Sequence, residues 1–318
     1  MAKLRRSQFA LRVRSRLATA GRSAEENRKR IFLAKLSAEG HPLWIRTMGQ
    51  AYTMWAASSI VIDPSGDIVV DWGAASAGNS TIAKLDANGS ELWKTDVPTL
   101  QTFSSDGADG IVVVSFTTNP WVLSVVRRDA NGQALWDRQY TSADGTAVTS
   151  DAQGNIYVAG TFIGAVDFGV ETLVADGVTG FVLKLDATGQ AQWVRSYPGQ
   201  IGTGDERMAW TDATVDALGN PMLSLDFNGG YDFGAGTFTG ASDAIVKLRA
   251  DSGETLWAQE LGVGGQNDAA SSIASDGQFS HYVAGTFGPG AITIGDQTLY
   301  ANDSGVGAVD ALVFQISE

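Results

Sequence analysis

Three glycine-rich stretches hold the side chains best suited to recognising a partner. They are GQAYTMWAA (49–57) with Tyr52 and Trp55, GTGDERMAW (202–210) with Asp205, Arg207 and Trp210, and GVGGQNDAA (262–270) with Asp268. Aromatic rings beside an arginine make binding hot spots, because they combine a large apolar contact with directional charged donors. The competing reading is that Trp55 and Trp210 pack beneath the loops or plug a central channel.

Catalytic chemistry has less to stand on. The chain has no G-x-S-x-G, no H-E-x-x-H and no P-loop, and GAGTFTG (234–240) has the wrong spacing for a dinucleotide loop. His41 and His281 are the only imidazoles, so a multi-histidine metal site within one chain is not expected. The turns DANGS (86–90), DAQGN (151–155) and DALGN (216–220) each open with a single carboxylate. Calcium needs about six to eight oxygens, whereas an aspartate opening a turn bonds the backbone N–H groups that follow it. No cofactor and no metal are therefore expected. Paired carboxylates for hydrolysis stay open as a class, with no pair singled out.

These stretches lie between two phrases that recur along the chain. One is AVTSDAQGNIYVAGTF (147–162), with relatives beginning near 58, 102, 213 and 271; the other is GFVLKLDATGQAQWVR (180–195), with relatives near 31, 81, 122 and 244. Each phrase is two short apolar runs around an Asp- and Gly-containing turn, the pattern of an antiparallel hairpin. Four strands, which we call A, B, C and D, thus form one unit. Each D strand carries a tryptophan: Trp44, Trp93, Trp136, Trp193 and Trp257. A period of roughly 40–50 residues with four strands per unit predicts an all-β fold, a β-propeller of four-stranded antiparallel blades. Five blades are expected, with six or a truncated seven as alternatives. In the five-blade count PLWIRTM (42–48) supplies the last blade's D strand and closes the ring, and IFLAKLS (31–37) is left over. Recurrence in every blade makes each D-strand tryptophan a packing residue against the next blade, since one binding site does not need five identical anchors.

The third unit, 145–195, with D-x-x-G-N-I-Y-V-A-G-T-F, V-D-F-G and F-V-L-K-L-D-x-x-G-x-x-x-W, closely resembles the SBBP-type β-propeller repeats of bacterial, often exported or surface, proteins. The resemblance covers about residues 31–318 and is looser toward NHL propellers. It implies a propeller and an extracellular, cell-surface or periplasmic location, and it carries no catalytic residues. ADSGETLW (250–257) is also similar to the tryptophan-docking repeat of quinoprotein dehydrogenases, although only Ser252–Gly253 approaches its motif.

Bulk properties agree with this. Of 318 residues 44% are hydrophobic, enough for a substantial core; 38 glycines suit many tight turns, and zero cysteines exclude disulfides. Ten Lys/Arg against Glu25 and Glu26 make residues 1–30 +8; twelve basic against 33 acidic residues make the remainder −21. So acidic a body repels phosphate backbones and excludes nucleic acid as its partner. No apolar run is long enough to span a membrane, and residues 1–30 lack the apolar core of a secretory signal. They read as a poorly ordered leader or, from Phe9, Val13 and Leu17, as a basic amphipathic helix able to recruit the chain to a membrane surface.

In a four-stranded blade the A–B and C–D turns share one end, and the B–C and D–A loops share the other. The loop end varies from blade to blade and holds all six candidate residues. The expected function is a monomeric, non-catalytic module that binds a protein or glycan. The rival is a polysaccharide-active hydrolase or lyase using the central channel.

Overall fold

The computed structural model describes residues 8–14, 29–37, 39–51, 59–73, 79–200, 207–263, 269–276, 280–287, 291–294, 297–300 and 310–317. Among them every regular element is a strand.

The first blade is β4 (Ile60–Ile62), β5 (Ile68–Gly73), β6 (Asn79–Leu85) and β7 (Glu91–Pro98), preceded by an N-terminal sheet of β1 (Gln8–Arg14), β2 (Lys29–Leu36) and β3 (Pro42–Ala51). The second blade is β8 (Leu100–Ser105), β9 (Ile111–Thr118), β10 (Trp121–Arg128) and β11 (Ala134–Thr141). The third is β12 (Ala143–Ser150), β13 (Ile156–Asp167), β14 (Thr172–Leu185) and β15 (Ala191–Tyr197). After the short β16 (Gly199–Gln200), the fourth blade is β17 (Arg207–Val215), β18 (Pro221–Asp232), β19 (Thr237–Leu248) and β20 (Thr255–Val263), with β16 paired to β18. The fifth contains β21 (Ala269–Ser275), β22 (Ser280–Phe287) and β25 (Asp310–Ser317); β23 (Ala291–Ile294) and β24 (Gln297–Tyr300) form a hairpin in its B–C connection. All pairings are antiparallel. The chain is a five-bladed β-propeller with an additional N-terminal sheet.

Local chemistry explains the hairpins. In the A–B turns at Asp106, Asp151 and Asp216 one aspartate oxygen accepts backbone N–H bonds from two and four residues on, as Asp151 does from Gln153 and Asn155 and Asp216 from Leu218 and Asn220. The same bonds organise the C–D turns at Asp86, Asp129 and Asp186. This bears out the turn reading of these acids.

Blades pack face to face, so the inner B and C strands are covered on both sides: Ile156 to Gly160 and Gly180 to Leu183 are continuously buried. The A strands are innermost. Ser150 donates to the Ser105 carbonyl of the preceding blade, Thr146 to that of Trp210 in the next (2.8 Å), and Ser272 to the Asp212 carboxylate (2.7 Å).

Blades one to three are also fastened at the outer edge. Trp93, Trp136 and Trp193 donate their indole N–H to the carbonyls of Ala130, Ala187 and Ala250 in the next blade's C–D turn, at 2.8, 3.1 and 3.1 Å. Arg127 and Lys184, one strand inward, reach the same Ala187 and Ala250 oxygens. The ring of Trp136 lies flat against Gly189, where an added Cβ would sit 2.8 Å from it, and Gly189 has φ of 79°. Gly189→Ala therefore meets both a clash and the left-handed backbone penalty, about 1–3 kcal/mol; urea unfolding of the full chain should show that loss.

Two expectations are corrected at the N-terminus. β3 pairs with β2, and β2 with β1, so the strand at 42–48 does not complete the fifth blade. Among the described residues β25 pairs with β22 alone. The strand at 31–37 thereby finds its place: Trp44 and Lys35 donate to the Ala87 carbonyl at 3.3 and 2.8 Å, so the N-terminal sheet docks on the first blade as the blades dock on one another. Residues 8–14 form a strand rather than a helix or a disordered leader. Phe9, Leu11 and Val13 fit period two as well as Phe9 and Val13 fit a helical turn, and the edge of β2 provides the hydrogen-bond partners.

Candidate functional site

The recurring polar residues are engaged at the turn end. Lys84 lies 2.7 Å from Asp63 and 3.5 Å from Asp67, Lys247 lies 2.7 Å from Asp216, and Arg127 lies 3.0 Å from Asp106. Both partners of the Lys84–Asp63 and Lys247–Asp216 pairs are almost wholly buried. Burial by itself raises the Asp63 carboxyl, but bonds from Lys84, Ser65 and the Asp67 N–H outweigh it and leave the group below the usual carboxylate range. Sequence reasoning missed these cations. Their signal was present: Lys84, Arg127, Lys184 and Lys247 occupy one position of the repeated C-strand phrase.

At the loop end the structure describes two of the six predicted residues; Tyr52, Trp55, Asp205 and Asp268 lie outside the described residues. Arg207 opens β17, opposite Asn228 of β18. Its guanidinium is 71% exposed and 3.7 Å from the Asp226 carboxylate. An ion pair so open to water holds the arginine weakly, leaving its donors available to a ligand.

Trp210 belongs elsewhere. It is 1% exposed, its indole N–H donates to the Gly160 carbonyl of blade three at 3.1 Å, and its ring meets Tyr197 edge-on. It packs the core between blades three and four, which is the competing reading of this residue, and cannot touch a partner in this state.

Several carboxylates lie toward the same end. Asp226 and Asp243 are directly opposed across β18 and β19. Asp212 accepts bonds from Ser272 (2.7 Å) and from the Ile273 N–H (3.0 Å), joining blades four and five, and burial pushes its carboxyl upward. Burial likewise raises Asp144. Asp243 is buried, so the opposed pair does not present two carboxylates to a substrate. Among the described residues no group of three or more His, Asp or Glu side chains is arranged to hold a metal ion. What the described end offers is hydrogen bonding and charge, from Arg207 with Asp226.

Neither a family model nor a curated protein matches the sequence. Among solved structures, a protein from Lactobacillus plantarum is similar over 90% of this chain and 78% of its own, at 14% identity and a TM-score of 0.43. BamB from Moraxella catarrhalis is similar over 81% of this chain and 79% of its own, at 14% identity and a TM-score of 0.39. The quinohemoprotein alcohol dehydrogenase from Comamonas testosteroni is similar over 83% of this chain and 62% of its own, at 13% identity and a TM-score of 0.38.

Proposed function

We propose that this propeller is a non-catalytic binding module of the SBBP type, recognising a protein or glycan through its loop end at the bacterial surface or outside the cell. One observation carries the reading. The side chains that recur in the blades are engaged in holding the blades together, whereas Arg207 stands open at the variable end. Tyr52, Trp55, Asp205 and Asp268 belong to the proposed surface through their places in the D–A connections. The motif resemblance supports the SBBP assignment and the location outside the cytoplasm.

The test is binding of the full chain and of Arg207→Ala to a glycan array and to bacterial surface-protein extracts. A central hot-spot arginine is worth about 1.4 kcal/mol or more, or tenfold in affinity. The expected result is at least that loss at an unchanged melting temperature. Equal binding by the two proteins removes Arg207 from the site.

A further inference from the structure

The outer edges of the first four blades are guarded by charge. Their D strands carry Glu91, Lys94 and Asp96 on β7, Asp137 and Arg138 on β11, Arg195 on β15 and Glu260 on β20. Charged side chains on an edge strand oppose its pairing with another chain. Blade five differs. Its outermost described strand is the C strand, β25, which among the described residues pairs with β22 alone. After Asp310 that strand reads ALVFQIS, with no charge, proline or glycine. In the other blades the C strands β6, β10, β14 and β19 each have a D strand along this edge.

The surroundings of β25 are open on the same side. Val313 is 71% exposed, whereas Ile82, Val125, Val182 and Ile245 at its place in blades one to four are fully buried. On the neighbouring B strand Tyr282 is 44% exposed, whereas its counterparts Val69, Val112, Tyr157 and Met222 are fully buried. The opposite face is anchored, because Phe314 and Ile316 pack with Met222 and Ile245 of blade four. The strand is therefore held in place while its outer face stays in water.

We propose that β25 joins two copies of this chain, pairing antiparallel with its counterpart about a two-fold axis, so that each copy supplies the strand missing from the other's fifth blade. The described D-type strands of the same chain are already committed, since β3, β7, β11, β15 and β20 are each paired within their own sheets. Charge also selects this contact. Residues 31–318 carry −21, so two copies repel one another over most of their surfaces, and the uncharged edge of β25 escapes that repulsion. Opposed residues of an antiparallel pair share a face. A two-fold register thus keeps Leu312 and Phe314 of both copies on the blade-four side and brings the two Val313 side chains together on the outer face. A register centred on Phe314 would set Asp310 against Glu318, and directly opposed like charges are destabilising. Centring on Val313 avoids this. The contact is isologous and closes at the dimer.

The chain has no cysteine, so one introduced thiol reads the register. In the full chain, Val313→Cys meets its own counterpart at a Cα separation of about 4.5–5.5 Å, within reach of a disulfide. Two Ala311→Cys residues stand at least about 13 Å apart in the same register. Val174→Cys, comparably exposed on blade three, measures random collision. Under mild oxidation the expected result is at least tenfold more disulfide-linked dimer from Val313→Cys than from either control. Light scattering of the unsubstituted chain should show its mass rising with concentration to twice the monomer and no further. Val313→Lys should abolish the rise at an unchanged melting temperature. Equal cross-linking of the three variants overturns the proposal. So does a mass that stays at the monomer throughout, which leaves the edge to a strand of the same chain or of a foreign partner, or one that climbs past the dimer, which excludes a two-fold contact.

Discussion

Trp210→Ala is expected to destabilise the propeller by roughly 3–5 kcal/mol, lowering the melting temperature by on the order of 10 °C for a domain of this size. Three losses combine. The ring is buried to 1% in the cluster formed by Tyr197, Phe227, Phe233 and Leu225, so its removal leaves a cavity between blades three and four. The edge-on contacts with Tyr197 and Phe233 disappear. The Gly160 carbonyl also loses its donor, in a place water cannot easily reach. Trp210→Phe should recover most of the packing but not the hydrogen bond, and so fall between. Urea unfolding of the three proteins measures this. A wild-type midpoint for Trp210→Ala together with lost partner binding would return the residue to the recognition surface.

The second large effect is expected at Lys84. Its ammonium is enclosed with Asp63 at 2.7 Å and also donates to the Asp109 carbonyl of the next blade at 2.8 Å. Lys84→Met keeps much of the side-chain volume but strands the Asp63 carboxylate, and breaking a buried pair from one side costs about 3–5 kcal/mol.

The sign of the pH dependence separates this from a simple packing defect. In the native chain the Asp63 carboxyl lies below its ordinary value, so its contribution is present above about pH 4 and is lost as pH falls through the depressed value. In Lys84→Met the stranded carboxyl is raised instead. The penalty is then fully present at neutral pH and diminishes as pH falls through the raised value toward about 4. The difference in stability between the two proteins should therefore shrink between pH 7 and pH 4. A difference that stays constant over that range would mean that Asp63 does not feel the missing cation.

How far the sequence reaches can be seen in single residues. Asp151, Gly154 and the run Ile156–Gly160 specify a hairpin by local chemistry alone: the carboxylate bonds the turn, the glycine supplies positive φ, and the apolar run pairs. Repeating that unit determined the blades and the role of Trp93, Trp136 and Trp193, because periodicity is a property of the chain. The exposed place of Arg207 was also legible, as a non-repeating charge in a variable connection.

Tertiary structure decided what local patterns leave degenerate. Phe9, Leu11 and Val13 satisfy more than one period, and only the edge of β2 selected a strand. The hairpin phrase pairs the strand at 42–48 with 31–37, whereas the blade count assigns it to 310–317; its register with β2 settled the choice. Trp210 and Arg207 lie three residues apart in one connection, yet one is sealed between blades and the other open to water. Burial of that kind depends on Gly160 and Phe233, 50 and 23 residues away in sequence, which no local pattern names.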